Sequence, residues 1–190
     1  MAAKKTVDKF KKKKWFRLVA PESFDNEEIG YTLGEKPANI LNRTINISLD
    51  NISGNRRMRY LSFIFKVKNI DKDNAVTVLE GHKADNSFIN RLARRRKSKI
   101  DLVADVSMKD GKKARFSVAG LFDAKEEREK EKIIRKAIFE EIREEASKMT
   151  FDSFLKYMLL ENGLEASAKK CAKSTSLRRI ELLKSRIMAG

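Results

Sequence analysis

The chain has 190 residues, 41% hydrophobic and 37% charged, which suits one domain with a true core and excludes a disordered chain. Its 43 Lys and Arg outweigh 27 Asp and Glu for a net +16, a balance that calls for a polyanionic partner, nucleic acid before membrane. One cysteine excludes an internal disulfide, and with neither an 18-residue apolar run nor an apolar leader a cytoplasmic protein is expected.

Residues 1–14 set Lys4, Lys5, Lys9, Lys11, Lys12, Lys13 and Lys14 against Asp8 alone. Such a block repels itself and is expected to stay unstructured until an anion meets it. Trp15, the single tryptophan, closes this run. From there to Asn39 the chain reads as an irregular strap, broken by Pro21, Gly30, Gly34 and Pro37. Trp15 is expected to seat the basic tail against the domain, with stacking on a nucleobase as the alternative.

Residues 43–122 read as β-structure. Ile45, Ile47 and Leu49 alternate onto one face, as do Leu61, Phe63, Phe65 and Val67 of the next run, and AVTVLEG follows a polar turn at Asp71 to Asn74. KIDLVADVSM and ARFSVAGLF flank an Asp110-Gly111 hairpin signal, which predicts positive φ at both central residues. Between these strand pairs, Asp85 or Asn86 can cap a short basic helix with Phe88, Ile89 and Leu92 on one face. Beyond Phe122, Ile134, Ile138, Ile142 and Ala146 form an i+4 stripe. A second helix starts near Thr150 and ends at Gly163, and a third covers about Ala166 to Ala172. SLRRIELLKSRIM fits helix or exposed strand, and strand is preferred. The expected fold is α+β: an N-terminal antiparallel β-barrel-like sheet with the short basic helix inserted, then a helical C-terminal part and a possible final strand. The expected divisions are a tail over 1–14, a barrel domain with its strap over 15–122, and a helical region over 123–190.

Catalysis has little to work with. His82 is the only histidine, so paired-histidine metal sites are excluded, and a Cys171–His82 dyad is conceivable, though a packed cysteine and a strand-end histidine are expected instead. Neither GxxxxGK[ST] nor GxGxxG occurs. No enzyme activity, cofactor, metal or small-molecule substrate is expected. A membrane partner is not expected either, because residues 123–147 hold nine acids against seven bases where a surface helix needs a cationic face.

The candidate RNA-binding residues are basic. Lys11, Lys12, Lys13 and Lys14 come first, followed by Trp15 and Arg17. Arg91, Arg94, Arg95, Arg96, Lys97 and Lys99 follow on and after the short helix, with no acid between them. A solvated helix face would carry intervening glutamates; an uninterrupted arginine cluster suits phosphate, which the guanidinium fork grips with two parallel hydrogen bonds. The first three arginines would share one helix face. Smaller patches are Arg56, Arg57 and Arg59, then Lys112 and Lys113, and finally Arg178 and Arg179 with Lys184 and Arg186. Their scatter suits a protein embedded in folded RNA rather than one with a single recognition element.

Lys13-Lys14-Trp15-Phe16, Ala20-Pro21 and Phe24, continuing into Ile29-Gly30 and Thr32, resemble the N-terminal signature of an archaeal and eukaryotic small-subunit ribosomal protein family, S-three-a-e. The resemblance continues in order through ISLDNI, Phe65-Lys66-Val67, Leu79-Glu80-Gly81-His82 and the basic helix before IDLVADVSMKDG. It resumes in KIIRKAIFEEIREEASKMTFDSFLK and ASAKKCAKS, and so covers almost the whole chain. Ending at Gly190, the chain is similar to the shorter archaeal type. The resemblance implies a structural component of the small ribosomal subunit that binds ribosomal RNA, on the platform near the messenger exit, beside other small-subunit proteins. A free RNA-binding or RNA-chaperone protein is the alternative.

Overall fold

Behind the lysine run, Phe16 and Leu18 are buried while Trp15 and Arg17 face outward, the period-two alternation of a half-buried strand. The computed structural model describes residues 12–92, 95–172 and 176–188. In it this stretch is a strand, β1 (Lys14–Val19), rather than the irregular strap expected. It pairs antiparallel with β2 (Glu28–Gly34). The residues that suggested irregularity lie at the breaks: Pro21 and Pro37 at 3-10 turns, and Gly30 (φ +145°) where the β1–β2 register shifts. Trp15 is 64% exposed and Phe16 only 3%, so the tryptophan does not seat the tail on a core; its neighbour carries the burial. Of the expected unstructured tail over residues 1–14, residues 1–11 lie outside the described residues, and Lys14 is already the first residue of β1.

The remaining elements are β3 (Thr44–Ser48), α1 (Leu49–Ser53), β4 (Leu61–Asp71), β5 (Asn74–Ala84), α2 (Asn86–Leu92), β6 (Lys99–Ser107), β7 (Lys113–Phe122), α3 (Arg128–Lys148), α4 (Phe151–Leu160), α5 (Gly163–Cys171) and β8 (Leu177–Ile187). The fold is α+β, as expected, and the preferred final strand is present as β8. The sheet is mixed rather than wholly antiparallel: its order is β2-β1-β5-β8-β7-β6, with β4 beside β5 and β3 beside β4, and β1 runs parallel to β5.

The chain divides into two compact units, 1–47 with 65–79 and 48–64 with 80–190, so β4 and β5 contribute to both. In the first, Phe16, Leu18, Ile40, Val67 and Ala75 form a cluster flanked by Ile29, Ile45 and Ile70. Phe24 meets Phe65 edge to face at 6.1 Å. The Thr77 hydroxyl donates to the Val19 carbonyl (2.8 Å), tying β5 to the end of β1.

In the second unit, Ile134, Ile138, Ile142 and Ala146 of α3 are buried, the stripe that the i+4 spacing predicts. Gly120 of β7 gives Ile138 room, since a Cβ there would lie 3.3 Å from its Cδ1. Phe116 of β7 packs on Phe151 and Phe154 of α4, with centroids 6.2 and 5.0 Å away. Lys170 of α5 bridges Glu141 (2.6 Å) and Glu145 (3.2 Å) of α3.

Two local expectations change. Only Gly111 (φ +72°) is left-handed in the β6–β7 hairpin, because Gly111 N–H donates to the Met108 carbonyl and Met108 N–H to that of Lys112. This is a three-residue loop, an ordinary turn followed by a left-handed glycine, which asks nothing unusual of Asp110. At the end of α4 the left-handed residue is Asn162 (φ 61°), the other residue type that tolerates this conformation. Gly163 instead starts α5, where an added Cβ would meet the Tyr157 ring at 2.7 Å.

Candidate nucleic-acid interface

The start of α2 is pinned by Asp85, whose N–H donates to the Tyr60 carbonyl (2.8 Å) and whose carbonyl accepts from Ile89 (3.0 Å). The described part of the helix runs to Leu92 and carries Arg91, whereas Arg95 and Arg96 are exposed turn residues, so Arg95 does not share a helix face with Arg91 as expected. Arg94 lies outside the described residues. Arg96 is left-handed (φ 63°), in the turn at residues 95–96. Ser98 then locks the chain that follows: its N–H donates to the Ala124 carbonyl, its carbonyl accepts from Phe122, and its hydroxyl accepts from Glu126 N–H. The start of β8 is fixed beside it, since Glu126 accepts from both the hydroxyl and the N–H of Ser176. The Ser176 hydroxyl holds the Glu126 carboxyl below the usual range.

These anchors bring α2 and β8 together across more than eighty residues of sequence. Between them lies a cleft of about 290 Å³ lined by Phe88, Arg91, Leu92, Lys97, Arg178 and Arg179. Phe88 stacks on Tyr60 with centroids 3.7 Å apart and 19° between planes, and the Arg179 guanidinium carbon sits 5.9 Å from the Phe88 centroid. Arg179 pairs with Glu181 at 2.6 Å, yet its Nε is buried without a hydrogen-bond partner among the described residues. Burial pushes the Glu181 carboxyl up, only partly offset by Arg179. The Tyr60 phenol is pushed up as well, by burial and then by Glu181. Lys97 (3.3 Å) and Arg178 (3.6 Å) both approach the same Asp123 oxygen. Four cations thus meet two carboxylates around an aromatic wall, so the cleft carries unneutralised positive charge. An anionic group beside a planar ring is what it can bind.

The other predicted residues stand apart from it. Lys12, Lys13, Lys14 and Trp15 are exposed at the start of β1, and Arg17 is exposed but paired with Glu28 at 3.1 Å. Tyr31 (57% exposed) is paired with Arg17 in the β1–β2 register, two positions along from the Trp15–Leu33 pair. Arg56, Arg57 and Arg59 are exposed on and after a 3-10 turn capped by Asn55. Lys112 and Lys113 are exposed at the β6–β7 turn, and Lys99 pairs with Asp101 at 2.9 Å. Sequence reasoning treated Phe88 as apolar helix face and passed over Tyr60. No spacing signal links them; only the backbone bond from Asp85 to Tyr60 does.

His82 is buried and fully engaged. The Leu182 carbonyl can only accept, so Nε2 carries the proton (3.1 Å), and Nδ1 accepts from the Ser185 hydroxyl (2.6 Å). Burial lowers its pKa to about 4. Neither ring nitrogen is left for Cys171, so the conceivable dyad does not form; burial pushes that thiol up. Among the described residues no group of three or more His, Cys, Asp or Glu could hold a metal, and no helix is long and apolar enough to cross a membrane.

A family model described as the ribosomal S3Ae family matches residues 1–190. The chain is 32% identical to small ribosomal subunit protein eS1 of Sulfurisphaera tokodaii, over 99% of this chain and 98% of the relative. It is 27% identical to the protein of that name from Thermoplasma acidophilum, over 99% and 87%, and 28% identical to that from Methanobrevibacter smithii, over 98% and 97%.

Proposed function

The chain belongs to the ribosomal S3Ae family, and from that premise we propose that it is a structural constituent of the small ribosomal subunit in the cytoplasm. It holds ribosomal RNA through separate basic patches and touches neighbouring subunit proteins. The relatives' shared name, small ribosomal subunit protein, supports the assembly. The platform near the messenger exit is the position that the family resemblance implies. The observation that carries RNA contact is the cleft between α2 and β8, where Arg91, Lys97, Arg178 and Arg179 converge beside Phe88, with Asp123 and Glu181 the carboxylates that pair with them among the described residues. Gathering like charges costs free energy unless an anion completes the site, and polyphosphate backbones with unpaired bases supply both anion and ring.

A sucrose gradient of native lysate in high salt tests the assignment. The chain is expected in washed small subunits at one copy each. Release to the top of the gradient with subunits intact would instead identify a free RNA-binding or chaperone protein.

A further inference from the structure

The outward face of β5, β8 and β7 carries a second basic surface, assembled by register rather than by sequence proximity. In the β5–β8 ladder Lys83 stands opposite Lys184, and Gly81 opposite Arg186. In the β7–β8 ladder Arg186 stands opposite Arg115, and Lys184 opposite Ser117. Directly opposed residues point to the same side of a sheet. Which side is fixed by their neighbours: His82, Ser185 and Phe116 are buried, whereas Lys83, Lys184, Arg186 and Arg115 are all exposed. Cross-strand Cβ atoms lie about 5 Å apart and i, i+2 residues about 7 Å apart, so the four cations share a patch little more than 10 Å wide.

Their pairing runs against ordinary sheet chemistry. Like charges directly opposite destabilise a ladder, and here two such pairs adjoin. Arg115 is held by Asp105 of β6 through two hydrogen bonds, 2.6 and 2.8 Å. Lys83, Lys184 and Arg186 have no carboxylate partner among the described residues. The positions between them are small, Gly81 and Ser117, and carry no ring on which a base could stack; the exposed Val103 lies beyond Ser117 on β6, at the edge of the patch. A protein partner normally requires an apolar centre with charges at the rim, and this patch has its charges at the centre.

We propose that this face docks the phosphate backbone of paired RNA, with Lys83, Lys184 and Arg186 each neutralising a phosphate and Arg115 completing the row. The proposal rests on the RNA-binding reading above and divides the labour within it: paired RNA on the sheet face, unpaired nucleotides in the aromatic cleft of α2 and β8. Recognition on the sheet face is blind to sequence, because phosphates carry no base information.

The test uses the full chain with two probes, an RNA hairpin with a fully paired stem and an oligouridylate of about 12 nucleotides. Binding is measured by fluorescence anisotropy at salt from about 50 to 200 mM. In the K83Q/K184Q/R186Q variant, with melting unchanged or raised, the slope of log affinity against log salt for the stem is expected to shrink by about 2–3, since each lost phosphate contact removes about 0.9. Oligouridylate affinity is expected to change less than about two-fold. The R91Q/R178Q variant should show the reverse preference. A stem slope equal to that of the parent chain overturns the proposal, as does an equal loss on both probes. Loss of subunit incorporation with stem binding intact also overturns it, by showing that the face meets a protein. The gradient test is independent: a parent chain that stays in washed subunits while the stem slope is unmoved sinks this surface alone.

Discussion

The imidazole of His82 has its Nε2 proton on the Leu182 carbonyl and its Nδ1 lone pair on the Ser185 hydroxyl, in a site that water does not reach. The ordinary value of 6.5 falls to about 4 because burial disfavours the cation. Between those values the unfolded chain binds a proton that the folded chain refuses, so stability is full above pH 6.5 and declines as pH falls toward 4. The difference corresponds to about 3 kcal/mol. Urea unfolding of the parent and of His82→Gln at pH 7 and pH 4.5 should show the variant losing less on acidification by an amount of that order; parallel losses would remove the role. Trp15 offers a second residue-scale test. It is 64% exposed beside Lys12, Lys13 and Lys14, and it is the chain's single tryptophan, so its fluorescence reports one place. Unpaired RNA is expected to quench it, and Trp15→Ala should weaken oligouridylate binding by about 1–3 kcal/mol. Unquenched emission at saturating RNA would leave the stacking alternative without support. The exchange between Trp15 and Phe16 also marks a limit of sequence reading: burial follows strand phase, and a one-residue shift of phase decides which aromatic is inside.

At the scale of elements, β8 was the ambiguous segment. Leu177, Ile180, Leu183 and Ile187 fit a helical spacing, but the alternation of Lys184, Ser185 and Arg186 is that of a strand with one face buried. The register shift between Ser117 and Val118, which drops Leu183 from the pairing, breaks period two midway and made the pattern hard to read. The helices were plainer, since the isoleucine stripe of α3 and the Thr150 cap of α4 are local signals that the structure retains. Cross-strand charge was not legible at all, because Lys83 and Lys184 are a hundred residues apart until register joins them. One consequence concerns stability. Lys184→Gln removes a like-charge neighbour from Lys83, so the isolated protein should gain about 0.2–1 kcal/mol at low salt, with the gain fading as salt screens the pair. Thermal melting at two salt concentrations measures it, and a loss of stability would show that Lys184 has a structural partner instead.

At the scale of the whole chain, α+β order, the inserted helix and the excess of basic residues were all readable, because composition and periodicity are local properties. The parallel contact of β1 with β5 was not, nor was the convergence of Arg91 with Arg178 and Arg179. Both depend on connections that return from far along the chain. The basic residues nonetheless sort themselves by surroundings: an aromatic cleft, a ladder face, and an exposed aromatic strand behind the lysine run. An RNA partner that meets all three would be held by several weak grips, each salt-sensitive, rather than by one tight site.

The position of β8 has a consequence in time. It lies between β5 and β7 in the sheet, yet it follows both in the chain and follows α3, α4 and α5 as well. During synthesis β5 and β7 emerge with their inner edges open, and no earlier strand fills the gap. Open edges recruit other strands, and non-local pairings close slowly. Such a nascent chain is exposed to aggregation until its last strand arrives. Completion of the sheet therefore waits on β8, and a chain shortened before Leu177 should accumulate as insoluble protein rather than as a smaller folded one.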